Sequence, residues 1–106
     1  MENTFVKVLD ANRAAIIDEL KSADLLAMDD PKCRYLVFVF DDGGPRTLRA
    51  PADDPEPDLS NLPCVLVGSF CYLGSTLSKS EREDLARTRD YNAMIDNCIS
   101  ILHHYR

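Results

Sequence analysis

Glycine is scarce in this chain, with 4 among 106 residues, tryptophan is absent, and no apolar run exceeds the six residues from Tyr35 to Phe40. Each shortage excludes something. Neither G-x-G-x-x-G nor a G-x-x-x-x-G-K followed by Ser or Thr occurs, and Gly43-Gly44-Pro45 reads as a turn with no helix behind it. The common glycine-lined phosphate cradles are therefore ruled out. A six-residue run falls far short of the ~20 apolar residues that a membrane-spanning helix requires. The opening Met1-Glu2-Asn3 has neither the basic segment nor the apolar core of a secretory signal, so the expected location is the cytoplasm.

Positive charge is also in short supply: 12 Lys and Arg stand against 18 Asp and Glu, a formal net charge of -6. A nucleic-acid interface needs clustered cations. The one basic cluster, Lys79 to Arg89, is offset by Glu81, Glu83 and Asp84 and reads as a solvated helix face. No direct nucleic-acid partner is expected. The cysteines Cys33, Cys64, Cys71 and Cys98 contain no closely spaced pair, and the histidines His103 and His104 are neighbours, which on a helix point about 100° apart. A zinc site is not expected, nor any other cofactor, and the thiols read as small buried hydrophobes.

What is present is an ordinary globular composition, 45% hydrophobic and 28% charged, in a chain long enough for one domain over residues 1–106. From Asn3 to Met28, Val6, Leu9, Ile16, Leu20, Ala23 and Ala27 recur at helical spacing. The periodicity favours one long helix over the alternative, a short strand Thr4–Leu9 followed by a helix that Asp10 caps. Asp29-Asp30-Pro31 ends it. Cys33–Phe40 is apolar on both faces, as a central strand is, and Asp41-Asp-Gly-Gly44 turns it into a short return strand Thr47–Ala50 whose arginines suit an edge.

Pro51–Pro63 reads as an irregular excursion that Leu59 and Leu62 pin to the body. Cys64–Val67 and Phe70–Leu73 form one strand bulged at Gly68-Ser69, along which alternation carries Cys71 into the core. Ser78-x-x-Glu81 and Ser80-x-x-Glu83 both fit a capping box that starts a helix from about Glu81 to near Tyr105. The expected fold is α+β, a small mainly antiparallel three-stranded sheet with two long helices in the order α-β-β-β-α.

Cys71 with His103 or His104 as base is the one nucleophilic pairing available, and an inward Cys71 with histidines on a helix end argues against it. The adjacent acids Asp29-Asp30, Asp41-Asp42 and Asp53-Asp54 sit in turns, where neither carboxyl is set apart for acid or base work, and no EF-hand spacing links them. No catalytic residue is assigned.

Two surfaces remain. Residues 1–58 hold 13 acids against 7 bases and residues 59–106 hold 5 against 5, so the imbalance is local. It is densest at Asp41, Asp42, Asp53, Asp54, Glu56 and Asp58, on a hairpin tip and a proline-rich loop expected to lie side by side. That acidic pole suits a partner protein with a basic surface, which the chain would bind and block or escort as an inhibitor, immunity-type or anti-defence protein. The second surface is the stripe Tyr91, Ile95, Cys98, Leu102 and Tyr105, flanked by Met94 and Ile101. Its narrow spacing is that of a seam between helices, and it is the candidate interface of a homodimeric chaperone or adaptor.

Overall fold

The computed structural model describes residues 4–104 except Glu56, Asp58, Ser60 and the side chain of Thr4. The fold is α+β, with helices α1 (Thr4–Ala11) and α2 (Arg13–Asp29), strands β1 (Cys33–Phe40), β2 (Pro45–Pro51) and β3 (Cys64–Cys71), then helices α3 (Lys79–Thr88) and α4 (Tyr91–His104). The three strands form one antiparallel sheet in the order β2-β1-β3. β1 is central and β2 is an edge, as their side chains imply.

Residues 4–9 are helical, and each of the two expected long helices is divided in two. At Asn12 the side-chain amide donates back to the Val8 carbonyl at 2.8 Å, competing with the helix ladder, and the backbone leaves helical geometry. Arg13 then reaches Asn92 at 2.6 Å and Asp96 at 2.7 Å, tying the break to α4, against which α1 packs. The second break falls at Arg89, which is extended, and Asp90 caps α4 through the Ala93 N–H at 3.0 Å. The Ser78–Glu81 capping box starts α3 two residues before the expected Glu81.

The core lies between one face of the sheet and the helices. Cys33, Tyr35, Val37 and Val39 of β1 meet Leu9 of α1, Ile16, Leu20, Ala23 and Ala27 of α2, and Tyr91, Ile95 and Cys98 of α4. Alternation sends Leu36 and Phe38 to the opposite face, yet Leu36 is 0% and Phe38 6% exposed. The topology explains this. β2 and β3 both run against β1 and flank it, so the 52–63 connection must carry the chain from the Cys33 end of one edge, across β1, to the Phe40 end of the other. Ala52, buried, and Leu59, half-buried, belong to it, and Arg34 on that face donates to the Ala52 carbonyl at 3.3 Å. Leu62 is exposed rather than pinning the connection, which is anchored instead by the Asp41 N–H to the Pro63 carbonyl at 3.0 Å.

Two glycines permit close approaches. Gly43, at φ +86°, forms the hairpin tip against the Asn12 side chain, where a Cβ would meet Nδ2 at 2.5 Å. Gly68 marks a bulge: Val37 pairs with Gly68 and Phe38 with Leu66, leaving Val67 as the extra residue. A Cβ on Gly68 would stand 2.7 Å from Leu20 Cδ2 and 2.8 Å from Met94 Cε, so its absence lets α2 and α4 settle on the strand.

Candidate functional site

Among the described residues the buried charged side chain is Asp24 of α2, at 0% exposure. It occupies a position on the helix face that also carries Leu20 and Ala27, and it is satisfied from three sides. The Tyr72 hydroxyl donates to Oδ1, the Tyr91 hydroxyl to Oδ2 at 2.8 Å, and Arg89 Nη1 lies 3.4 Å from Oδ2. Arg89 also stacks over Phe70, 5.7 Å from the ring centroid, and Phe70 meets Tyr91 edge to face. This cluster joins α2, the end of β3, the α3–α4 break and α4. It is the reason the last helix divides, because Arg89 must turn inward to reach the carboxylate.

Burial, and then the bond to Asp24, holds both phenols well above their ordinary titration range. Tyr35 is raised as well, by burial and its 3.0 Å bond to Asp30, whose own carboxyl is held low by Arg49 first and Tyr35 second. Above pH about 10 an unfolded tyrosine releases its proton while these folded phenols keep theirs, so the folded state binds more protons and stability falls as pH rises. Ultraviolet titration of phenolate is expected to show Tyr72 and Tyr91 ionising only together with unfolding. Phenolate absorbance near pH 10 that is lost on Tyr72→Phe or Tyr91→Phe, in a chain that keeps its far-ultraviolet dichroism, would contradict the burial.

The acidic residues are not gathered into one pole. Asp41 and Asp42 cap the hairpin at the Phe40 end of β1, whereas Asp53 and Asp54 follow β2 at the Cys33 end, where Ala52 N–H bonds the Lys32 carbonyl. Six steps of the β1–β2 ladder separate the two pairs, about 20 Å at 3.4 Å per residue. The reading that placed them side by side is corrected: the crossing connection starts at one end of the sheet and returns at the other. Glu56 and Asp58 lie outside the described residues. Asp41, Asp53 and Asp54 are exposed and make no ion pair among the described residues, while Asp42 sits 3.9 Å from Arg46. Elsewhere Arg13, Arg49, Arg82, Arg87 and Arg89 are each engaged by a carboxylate of the same chain. The remaining exposed acids at the two ends of the sheet thus lack that neutralisation.

The stripe on α4 is a core seam within one chain. Tyr91, Ile95 and Cys98 are buried against α2 and β3, and Leu102 packs on the same core. Tyr105 lies outside the described residues. The seam-like spacing that made it a candidate interface is met within the chain: the break at Arg89 shortens α4, which packs along α1, α2 and β3.

Cys71 points outward rather than into the core, because the extra residue at the bulge shifts the alternation by one, turning Phe70 inward. Nor does it meet the histidines. α4 runs from Tyr91, beside Phe70, past Cys98, whose thiol contacts the Leu66 carbonyl at 3.7 Å, so His103 and His104 lie toward the far end of the strand. The 14 residues of α4 span roughly 20 Å at 1.5 Å per residue. Among the described residues no three His, Cys, Asp or Glu side chains converge as a metal-binding group, and no helix is long and apolar enough to cross a membrane.

Between the two acidic ends, the outer sheet face presents Leu48 and Leu66, both 39% exposed. That β1 also puts apolar side chains on that face was legible in its run of apolar residues on both faces. Asp24 was missed; its signal is a carboxylate placed four residues after Leu20 and four before Met28 on the buried side of a helix. Comparison with protein-family models, curated proteins and solved structures finds no match.

Proposed function

We propose that this chain is a non-enzymatic protein-binding module that blocks or escorts a partner through the β2 side of the outer sheet face, the part that the 52–63 connection leaves exposed. The observation that carries the reading is the arrangement on that face: Leu48 stands between exposed acids at both ends, Asp41 and Asp42 on one side and Asp53 and Asp54 on the other. An apolar centre with a charged rim is the layout of a protein interface. One side of a standard complex, about 800 Å², extends over a distance comparable to the ~20 Å between the acidic pairs. The partner would carry two basic regions at that separation, and the acids would chiefly hasten encounter.

The test is affinity capture from the native host at low and high salt, with mass spectrometry of what is retained. Changing Asp41, Asp42, Asp53 and Asp54 to Asn is expected to lower retention of the specific partner at low salt by about tenfold or more, through loss of steering. Leu48→Ala is expected to weaken retention at both salts. Undiminished capture by the quadruple Asn variant at low salt would sink the electrostatic reading.

A further inference from the structure

The helix layer of this fold is one strand wider than its sheet. α2 packs chiefly on the central strand β1, with β2 and β3 to either side, while α4 lies beside α2 and meets the sheet chiefly at β3. Packed helices stand about 8–10 Å apart, whereas strands stand about 4.8 Å apart. Measured from α2 and β1, α4 therefore runs beyond β3, beneath the place of a fourth strand about 9.6 Å out. The contacts agree: Met94 meets β3 at Gly68 and Cys98 at the Leu66 carbonyl. At about 100° per residue, Asn97 and Ile101 fall on the flank of α4 beyond Met94, away from Asn92 and Asp96, which Arg13 holds on the other side. Ile101 is 57% exposed there.

The edge above this flank is open. β3 pairs with β1 alone, and it has no proline and no charge from Cys64 to Cys71, within a charge-free stretch of 20 residues from Leu59 to Ser78. The other edge is guarded: β2 carries Pro45 and Pro51 at its ends and Arg46 and Arg49 along it, the devices that discourage an edge from pairing.

We propose that an extended segment of a partner protein fills this place, adding to β3 as a fourth strand above α4. The free side of β3 offers a row of backbone N–H and C=O groups, and what matches such a row is another extended backbone. A second copy is excluded, because its own α4 would collide with this one; a lone extended segment brings no layer beneath it. The floor sets the side chains. Successive residues of a strand point to opposite faces, so apolar residues at alternate positions of the segment would cover Met94 and Ile101. Charge sets the end. Asp41 is exposed beside the start of β3, where its N–H bonds the Pro63 carbonyl at 3.0 Å, and it makes no ion pair among the described residues. A Lys or Arg at that end of the segment complements it. In the antiparallel sense, which pairs slightly better than the parallel one, that cation stands at the segment's C-terminal end. This groove shares only Asp41 with the surface proposed above and does not rest on that reading.

The test is titration of the isotope-labelled chain with a peptide of β3's length, the eight residues Ser-Val-Thr-Val-Thr-Val-Lys-Lys, followed by nuclear magnetic resonance. Saturable shifts of the β3 amides and the Ile101 methyls are expected by roughly 5 mM peptide. Ile101→Ser is expected to weaken binding about fivefold, and Asp41→Asn about twofold at low salt only. Both positions are exposed, so these variants keep the native circular dichroism and melting temperature. Two further peptides carry N-methyl groups on every Val or on every Thr. Alternate N–H groups of an added strand point to β3 and to solvent, so one of the two is expected to bind about tenfold more weakly and the other like the parent. The absence of a saturable shift overturns the proposal, as do shifts centred on Leu48 or two N-methylated peptides that behave alike. An Ile101→Ser chain that binds like the native one overturns the place of α4 beneath the segment.

Discussion

Asp24→Ala is expected to destabilise the fold by about 3–5 kcal/mol, the range for removing one partner of a buried charged pair. That is a large share of the roughly 5–15 kcal/mol that holds a domain of this size together. The substitution removes the acceptor of two phenols, one of them on the buried Tyr91, and the counter-ion of Arg89. The hydroxyls are left without their partner inside the core, which costs more than the hydrogen bonds themselves gain. Tyr91→Phe removes one donor and leaves the carboxylate with Tyr72 and Arg89, so its cost is expected near 1–2 kcal/mol.

A third variant separates polar satisfaction from simple packing. Asp24→Leu combined with Tyr72→Phe and Tyr91→Phe leaves no orphaned group except Arg89, which is partly exposed and can turn to solvent. It should recover much of the loss seen in Asp24→Ala. Urea unfolding followed by circular dichroism measures all three. A loss below about 1 kcal/mol for Asp24→Ala would mean that the cluster does not organise the helices around it.

Ile95→Ala is expected to cost about 2–4 kcal/mol, the ordinary result of emptying a core site whose walls relax only in part. Ile95 is 0% exposed, within the cluster formed by α2, α4 and the inner face of the sheet. Were the α4 stripe an interface between copies, the same substitution would weaken association and leave the single chain's unfolding unchanged. The two outcomes are told apart by running urea unfolding at several protein concentrations: a core role shifts the midpoint equally at each, and an interface role shifts it in a concentration-dependent way. Ile101→Ser on the exposed side of the same helix should stay within about 0.5 kcal/mol and serves as the control.

Much of the fold was legible because local rules agreed. Val6, Leu9, Ile16, Leu20, Ala23 and Ala27 were read as one helical face, and all are buried. Cys33–Phe40 was read as central from its two apolar faces, and Ser78 with Glu81 as a helix start, and each stands so in the structure. The helix breaks were harder to read because their causes lie far along the chain. Asn12 sits in a segment whose apolar spacing continues on both sides, and Arg89 where a charged helical stretch meets the α4 stripe; the contacts that fix the chain there are Arg13 reaching Asn92 and Asp96 and Arg89 reaching Asp24. Asp90 was the local clue to the second break, as a capping residue inside an otherwise periodic run.

The candidate surfaces divide the same way. Which residues are acidic and which stretch lacks charge is written in the chain, and no folding changes it. Where those residues meet is a matter of topology. The order β2-β1-β3 sends the proline-rich connection from one end of the sheet to the other, and so it parts Asp41 and Asp42 from Asp53 and Asp54. By itself the sequence determined the α+β class, the strands, the buried helix faces and the local excess of acid, because periodicity, capping and composition act over a few residues. Only the tertiary structure decided the division of the helices, the burial of Asp24, the outward turn of Cys71 and the separation of the acidic pairs. Each of these depends on a hydrogen bond, a bulge or a strand neighbour supplied from a distant part of the chain.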